Sequence, residues 1–125
     1  MRIKLIVEYD GTDFHGFQRQ PGKRTVDRVL EEAISRVTGE EVRVIGAGRT
    51  DAGVHALGQV VAFDTRATIP PERYCPAINS FLPADVRIVS SEETAPDFHP
   101  RYQARRKTYR YLVYRKAAGY TLYRR

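Results

Sequence analysis

The chain holds a single cysteine, Cys75, in 125 residues. One thiol can build neither an internal disulfide framework nor a multi-cysteine metal site. Long apolar runs are missing too, so no segment reads as a membrane-spanning helix. The first residues, Met1-Arg2-Ile3-Lys4-Leu5, alternate like a strand and lack the apolar centre of a signal peptide. These absences predict a cytoplasmic protein. There is no Ser-His-Asp order, no metal-ligand spacing and no G-x-x-x-x-G-K-[ST] phosphate loop. Internal repeats, low-complexity tracts and interdomain linkers are also lacking, so residues 1–125 are expected to form one domain.

What is present is a globular composition, 42% hydrophobic and 29% charged, which excludes a disordered chain. Lys and Arg number 21 against 15 Asp and Glu, a net charge of +6 and a pI near 9.7. The excess is uneven: Arg101, Arg105, Arg106, Lys107, Arg110, Arg115, Lys116, Arg124 and Arg125 crowd the last quarter. Tyr102, Tyr109, Tyr111, Tyr114, Tyr120 and Tyr123 are threaded among them. Cations for phosphates and rings for bases suit a nucleic-acid surface. An ordinary solvated strand is the alternative.

Periodicity supplies the elements. Ile3, Leu5, Val7 and Tyr9 alternate with Arg2, Lys4, Ile6 and Glu8, a strand with one clearly apolar face. A long Gly-rich loop follows over 10–24. Val26, Val29, Leu30, Ala33, Ile34 and Val37 form one helical stripe over 25–38, with Thr25 as N-cap and Gly39 as stop. Further strands are expected over 41–47, 58–64, 86–90 and 107–115. A second helix is expected from about Ile69 to Phe81, with Tyr74, Ala77, Ile78 and Phe81 inward. Pro76 requires either a later start or a distorted first turn. The order βαββαβ plus a further strand is α+β and ferredoxin-like, the split βαβ arrangement. It predicts an antiparallel sheet with two helices on one face and the other face free for a ligand.

The stretch from Gly46 to His55 is spent unusually for a connection between strands. It holds three glycines, Arg49, Asp51 and His55. Asp51 is its only group both ionised and nucleophilic at neutral pH, and Arg49 can pair with it. In the absence of the other motifs, one carboxylate beside an arginine points to covalent attack or general-base catalysis without a cofactor. A turn aspartate capping a backbone amide is the alternative.

Gly48-Arg49-Thr50-Asp51-Ala52-Gly53-Val54-His55 resembles the catalytic motif of the TruA family of tRNA pseudouridine synthases. So do Tyr9-Asp10-Gly11 with Gly16-Phe17-Gln18-Arg19-Gln20, Thr25-Val26, Gly58-Gln59-Val60, Asn79 with Leu82-Pro83, Phe98-His99-Pro100-Arg101 and Tyr109-Arg110-Tyr111. The resemblance implies isomerisation of uridine to pseudouridine in the anticodon stem-loop of tRNA. Asp51 would act at the sugar carbon or at the pyrimidine ring, Arg49 would pair with it, and Tyr109 would pack against the flipped base. Phe17, Gln18, Arg19 and Gln20 either touch RNA or, with Phe14, pack their loop down. Arg101, Arg105, Arg106 and Lys107 would hold phosphates. His55 is expected to be a structural hydrogen-bonding residue and Cys75 a packing one. No metal and no cofactor are implied, and tRNA and a second copy of the chain are the implied partners.

Two residues depart from the family pattern: Asp27 stands where glutamine is common, and Pro76 is unusual in a helix. The resemblance covers the first half of a two-halved enzyme, with the second half, absent here, closing the pocket around Asp51. The chain alone is therefore expected to be weakly active or inactive. A non-catalytic RNA-binding domain of RRM type shares the fold, but Tyr109-Arg110-Tyr111-Leu112-Val113-Tyr114 lacks the glycines of its central-strand motif.

Overall fold

The computed structural model describes residues 1–18, 20–48, 53–100 and 113–115. Strand β1 (Arg2–Tyr9) lies at the centre of the sheet, buried on every second residue as its alternation predicts. Helix α1 (Val26–Thr38) follows the long loop and ends at Gly39, whose left-handed φ of 76° only glycine adopts cheaply. Then come β2 (Val44–Gly46), β3 (Val54–Asp64), α2 (Tyr74–Asn79), β4 (Val86–Thr94) and β5 (Val113–Arg115).

The sheet order is β2-β3-β1-β4, antiparallel throughout, which is the α+β ferredoxin-like split βαβ fold. β5 pairs with the first residues of β3, Val54 to Ala56, whereas β2 pairs with its last, Val61 to Phe63. The two short strands thus take successive stretches of β3. Of the expected strand 107–115, residues 107–112 lie outside the described residues.

Ile3, Leu5, Val7 and Tyr9 share one core with Leu30 and Ile34 of α1 and Tyr74 and Ile78 of α2, so both helices cover the same face. On the opposite face, cross-strand ion pairs join Arg2 to Asp64, Lys4 to Glu92 and Arg87 to Glu8. That face is not as free as its sequence suggests. Arg2 Nη1 donates to the Phe98 carbonyl at 2.5 Å, Lys4 Nζ lies 5.6 Å from the Phe98 ring centre, and Ala62 is wholly buried. The chain after β4 folds back over one end of the sheet.

Several boundaries move for tertiary reasons. β3 begins at Val54, before Gly58, because its first residues find a partner strand in β5. β4 continues through Ser-Ser-Glu-Glu-Thr because an outer strand can pair its backbone with β1 while its polar side chains stay wet. β2 starts only at Val44, whose amide donates to Glu31 Oε2 of α1 at 3.0 Å. In α2 the regular turns begin at Tyr74 after a 3₁₀ turn at Pro71–Arg73. Pro76 is its third residue, where the missing N–H would have had no partner within the helix. Phe81, expected inward, is 46% exposed beyond the end of α2, with the Arg36 guanidinium 5.0 Å from its ring centre. No described helix is long and apolar enough to cross a membrane.

Candidate active site

Two loops meet at the end of the sheet where β1 finishes and β3 begins. The first opens at Asp10, whose Oδ1 accepts from the Thr12 amide at 3.0 Å and the Thr12 hydroxyl at 2.6 Å, closing a 3₁₀ turn at Gly11–Asp13. The loop then packs itself down with two aromatic rings. Phe14 and Phe17 are both nearly buried and both lie 6.4 Å from the Tyr9 ring. The Arg24 guanidinium stacks 4.1 Å from the Phe14 ring centre and forks onto both Asp85 carboxylate oxygens at 2.9 and 3.2 Å. These hydrogen bonds raise the Arg24 pKa further above its ordinary value. The Asp10 amide also donates to the Asp85 carbonyl, so the loop is tied to the start of β4 at both of its ends.

The same loop starts α1. Thr25 occupies the N-cap position with extended backbone, yet its hydroxyl donates to Asp27 Oδ1 at 2.8 Å instead of receiving a helix amide. The first helix amides, Val26 and Asp27, donate to the carbonyls of Gly16 and Phe17. Backbone of the loop does the work expected of the Thr25 side chain.

The second loop is the stretch with Arg49 and Asp51. Both of its described flanks are held by groups from β1, β3 and the first loop. The Gly48 carbonyl accepts from Gln59 Nε2 at 2.6 Å, and Gln59 Oε1 accepts from the Tyr9 phenol at 2.9 Å. The Ala47 amide donates to the Val60 carbonyl, and the Gly53 amide donates to the Phe14 carbonyl at 3.3 Å. Gly53 has φ near 80°, and Gly46 lies so close to Phe17 that an added Cβ would sit 2.7 Å from a ring carbon. His55 is fully buried, with Nδ1 2.7 Å from the Gly11 amide and 3.0 Å from Asp10 Oδ1. Nδ1 thereby ties the start of β3 to the opening of the first loop. His55 is a buried hydrogen-bonding residue, as its place in the motif suggests.

A cleft of about 210 Å³ lies beside Gly48. Its walls are Phe17, Gln18, Asp27, Val44, Ile45, Gly46 and Gly48. Phe17 therefore both packs its loop and forms one wall of the cleft. Gln18 and Gln20 are exposed, and Gln20 Nε2 donates to the His15 carbonyl. A larger cleft of about 600 Å³, around Arg2, Glu40 and Asp64, sits at the opposite end of the sheet. Asp51, Arg49, Tyr109, Arg19, Arg101, Arg105, Arg106 and Lys107 lie outside the described residues.

Tyr9, Asp10 and Gln59 stand within the motifs, but the sequence alone assigns Tyr9 only to the apolar face of its strand and the other two no role. A signal existed for Gln59. It has the same strand parity as Val61 and Phe63, which face the helices, and an amide on a buried face must find specific partners.

Comparison with known proteins is independent of this geometry. A family model described as tRNA pseudouridine synthase matches residues 5–103. The tRNA pseudouridine synthase A of Syntrophomonas wolfei is 53% identical over 123 residues, 98% of this chain and 49% of that protein. That of Caldicellulosiruptor saccharolyticus is 52% identical over 90% of this chain and 46% of its own length. That of Maridesulfovibrio salexigens is 51% identical over 99% of this chain and 46% of its own. The chain spans about half the length of the curated relatives it matches.

Proposed function

The chain belongs to the tRNA pseudouridine synthase family, and from that premise we propose that it carries the catalytic loop of an enzyme converting uridine to pseudouridine in the anticodon stem-loop of tRNA. The reaction is an isomerisation. The C1′–N1 bond breaks, a C1′–C5 bond forms, C5 loses its proton and N1 gains one. Electrons balance within the nucleoside, so no redox partner is consumed.

In this reading Asp51 is the reacting carboxylate, at C1′ or at the pyrimidine ring. Arg49 pairs with it, and Tyr109 packs on the flipped base and serves the proton transfer at C5. Reaching the uridine means taking it out of the stack, at a cost of a few kcal/mol. Contacts to RNA from Arg101, Arg105, Arg106, Lys107, Arg19, Gln18 and Gln20 offset that cost, with Phe17 lining the cleft beside the loop. A cytoplasmic enzyme that works as a homodimer completes the proposal. The 125 residues by themselves are proposed to turn over weakly or not at all.

The observation that supports this reading most is the grip on both flanks of the Asp51 loop, by Gln59 at Gly48 and by Phe14 at Gly53. A loop that only connected two strands would need neither. The test is tritium release from tRNA labelled at C5 of uridine, using the full-length protein that contains this chain. Release should track uridines of the anticodon stem-loop. Tight tRNA binding with no release would favour the RNA-binding-domain reading instead.

A further inference from the structure

We infer that Gln59, oriented by the phenol of Tyr9, is a positioning residue for the loop that carries Asp51. The inference rests on the functional reading above and adds to it a residue outside the loop.

The amide can be satisfied in only one orientation. The Gly48 carbonyl only accepts, so the NH₂ end of Gln59 must face it, which leaves Oε1 toward the Tyr9 hydroxyl. A flipped amide would set Oε1 against the Gly48 oxygen, two acceptors 2.6 Å apart. Both side chains are buried, Gln59 wholly and Tyr9 to 2% exposure, so water offers neither group a substitute. The sheet itself has no use for the amide. At this parity β3 places Val61 and Phe63 against the helices, and an apolar side chain would pack there without desolvating a polar group. The approach also depends on Gly46, because a Cβ there would lie 3.0 Å from Gln59 Nε2. Tyr9, Gly46, Gly48 and Gln59 therefore form one device, and its output is the position of a carbonyl in the Asp51 loop.

The test uses the full-length protein, C5-tritiated tRNA, and the variants Gln59→Glu, Tyr9→Phe and the double variant. Gln59→Glu keeps the volume but turns an acceptor on the Gly48 carbonyl, and Tyr9→Phe removes only the hydroxyl. Expected are a kcat per folded molecule down about tenfold or more for Gln59→Glu, and less for Tyr9→Phe. KM should stay within about threefold, the signature of lost positioning and not of lost binding. The double variant should lose less than the product of the two single effects, since phenol and amide share one hydrogen bond. Amide exchange over 46–53 should quicken in Tyr9→Phe while α1 is unaffected, a readout that needs no activity. If Gln59→Glu does not fold, Tyr9→Phe decides the matter alone. An unchanged kcat per folded molecule in an otherwise active enzyme overturns this inference and leaves the functional reading standing. A wild-type protein that releases no tritium overturns both.

Discussion

Single atoms decide the geometry around the loop, and Gly46 shows this most sharply. Replacing it with alanine would drive a Cβ to 2.7 and 2.9 Å from Phe17 ring carbons. We expect Gly46→Ala to destabilise the fold by about 1–3 kcal/mol, as overpacking of a filled site does. Urea unfolding checks it, and a Phe17→Leu companion should recover part of the loss because the two side chains share one space. Unchanged stability in the single variant would mean that Phe17 is free to move. At this scale the sequence was legible where chemistry is local. His55, expected to be a structural hydrogen-bonding residue, is one, while Arg49 and Asp51, which suggest the site, lie outside the described residues. The sequence was illegible where roles depend on partners far along the chain. Tyr9 and Gln59 are 50 residues apart, and only pairing of β1 with β3 brings phenol and amide together. Thr25 had the chemistry of a cap but not the job, since carbonyls of the preceding loop reached the helix amides first.

Among the elements, α2 and β4 are joined by one side chain that imitates a strand. Asn79 Oδ1 accepts from the Ile88 amide at 2.7 Å, and Nδ2 donates to the Ile88 carbonyl at 3.0 Å. Asn79→Ala leaves both backbone groups without this partner. It should cost about 1–3 kcal/mol and raise amide exchange at Ile88. Exchange at Ile88 no faster than in the wild type would show that another group takes over. The order of elements was legible because alternation in β1 and the apolar stripe of α1 each come from one continuous run of residues. Boundaries were less so. The polar tail of β4 and the Gly58-containing start of β3 are strands only by virtue of what they pair with, Arg2–Ile6 in one case and β5 in the other. Phe81 looked like core on helical spacing, but α2 stops at Asn79 and the ring falls outside, under Arg36.

For the molecule as a whole, charge has two separate consequences. Asp64 is held below its ordinary carboxyl pKa of 3.8 by its hydrogen bond to Arg2, and Glu40 below 4.5 by its hydrogen bond to the Thr65 hydroxyl. A group whose folded pKa is lowered contributes stability that is present above its unfolded value and is lost as pH falls through the folded one. Unfolding free energy should therefore be steady near neutrality and decline below about pH 4.5, less steeply in Asp64→Asn. Denaturant titrations at several pH values measure this, and an equal slope in the variant would remove Asp64 from the account. The net charge of +6 acts outward, and in the proposed function it acts on RNA. Reversing Arg105 and Arg106 to glutamate should weaken tRNA binding and flatten its dependence on salt, by roughly one logarithmic unit for each phosphate no longer neutralised. Filter binding at several salt concentrations reads both, and an unchanged slope would place these arginines away from the phosphates. The central claim remains chemical: the gripped loop exists to present one carboxylate to a uridine. The most direct measurement is tritium release by the full-length Asp51→Asn variant beside tRNA binding by the same preparation. The account predicts turnover abolished with binding within about threefold of wild type; turnover that persists, or binding that collapses along with it, would contradict the account.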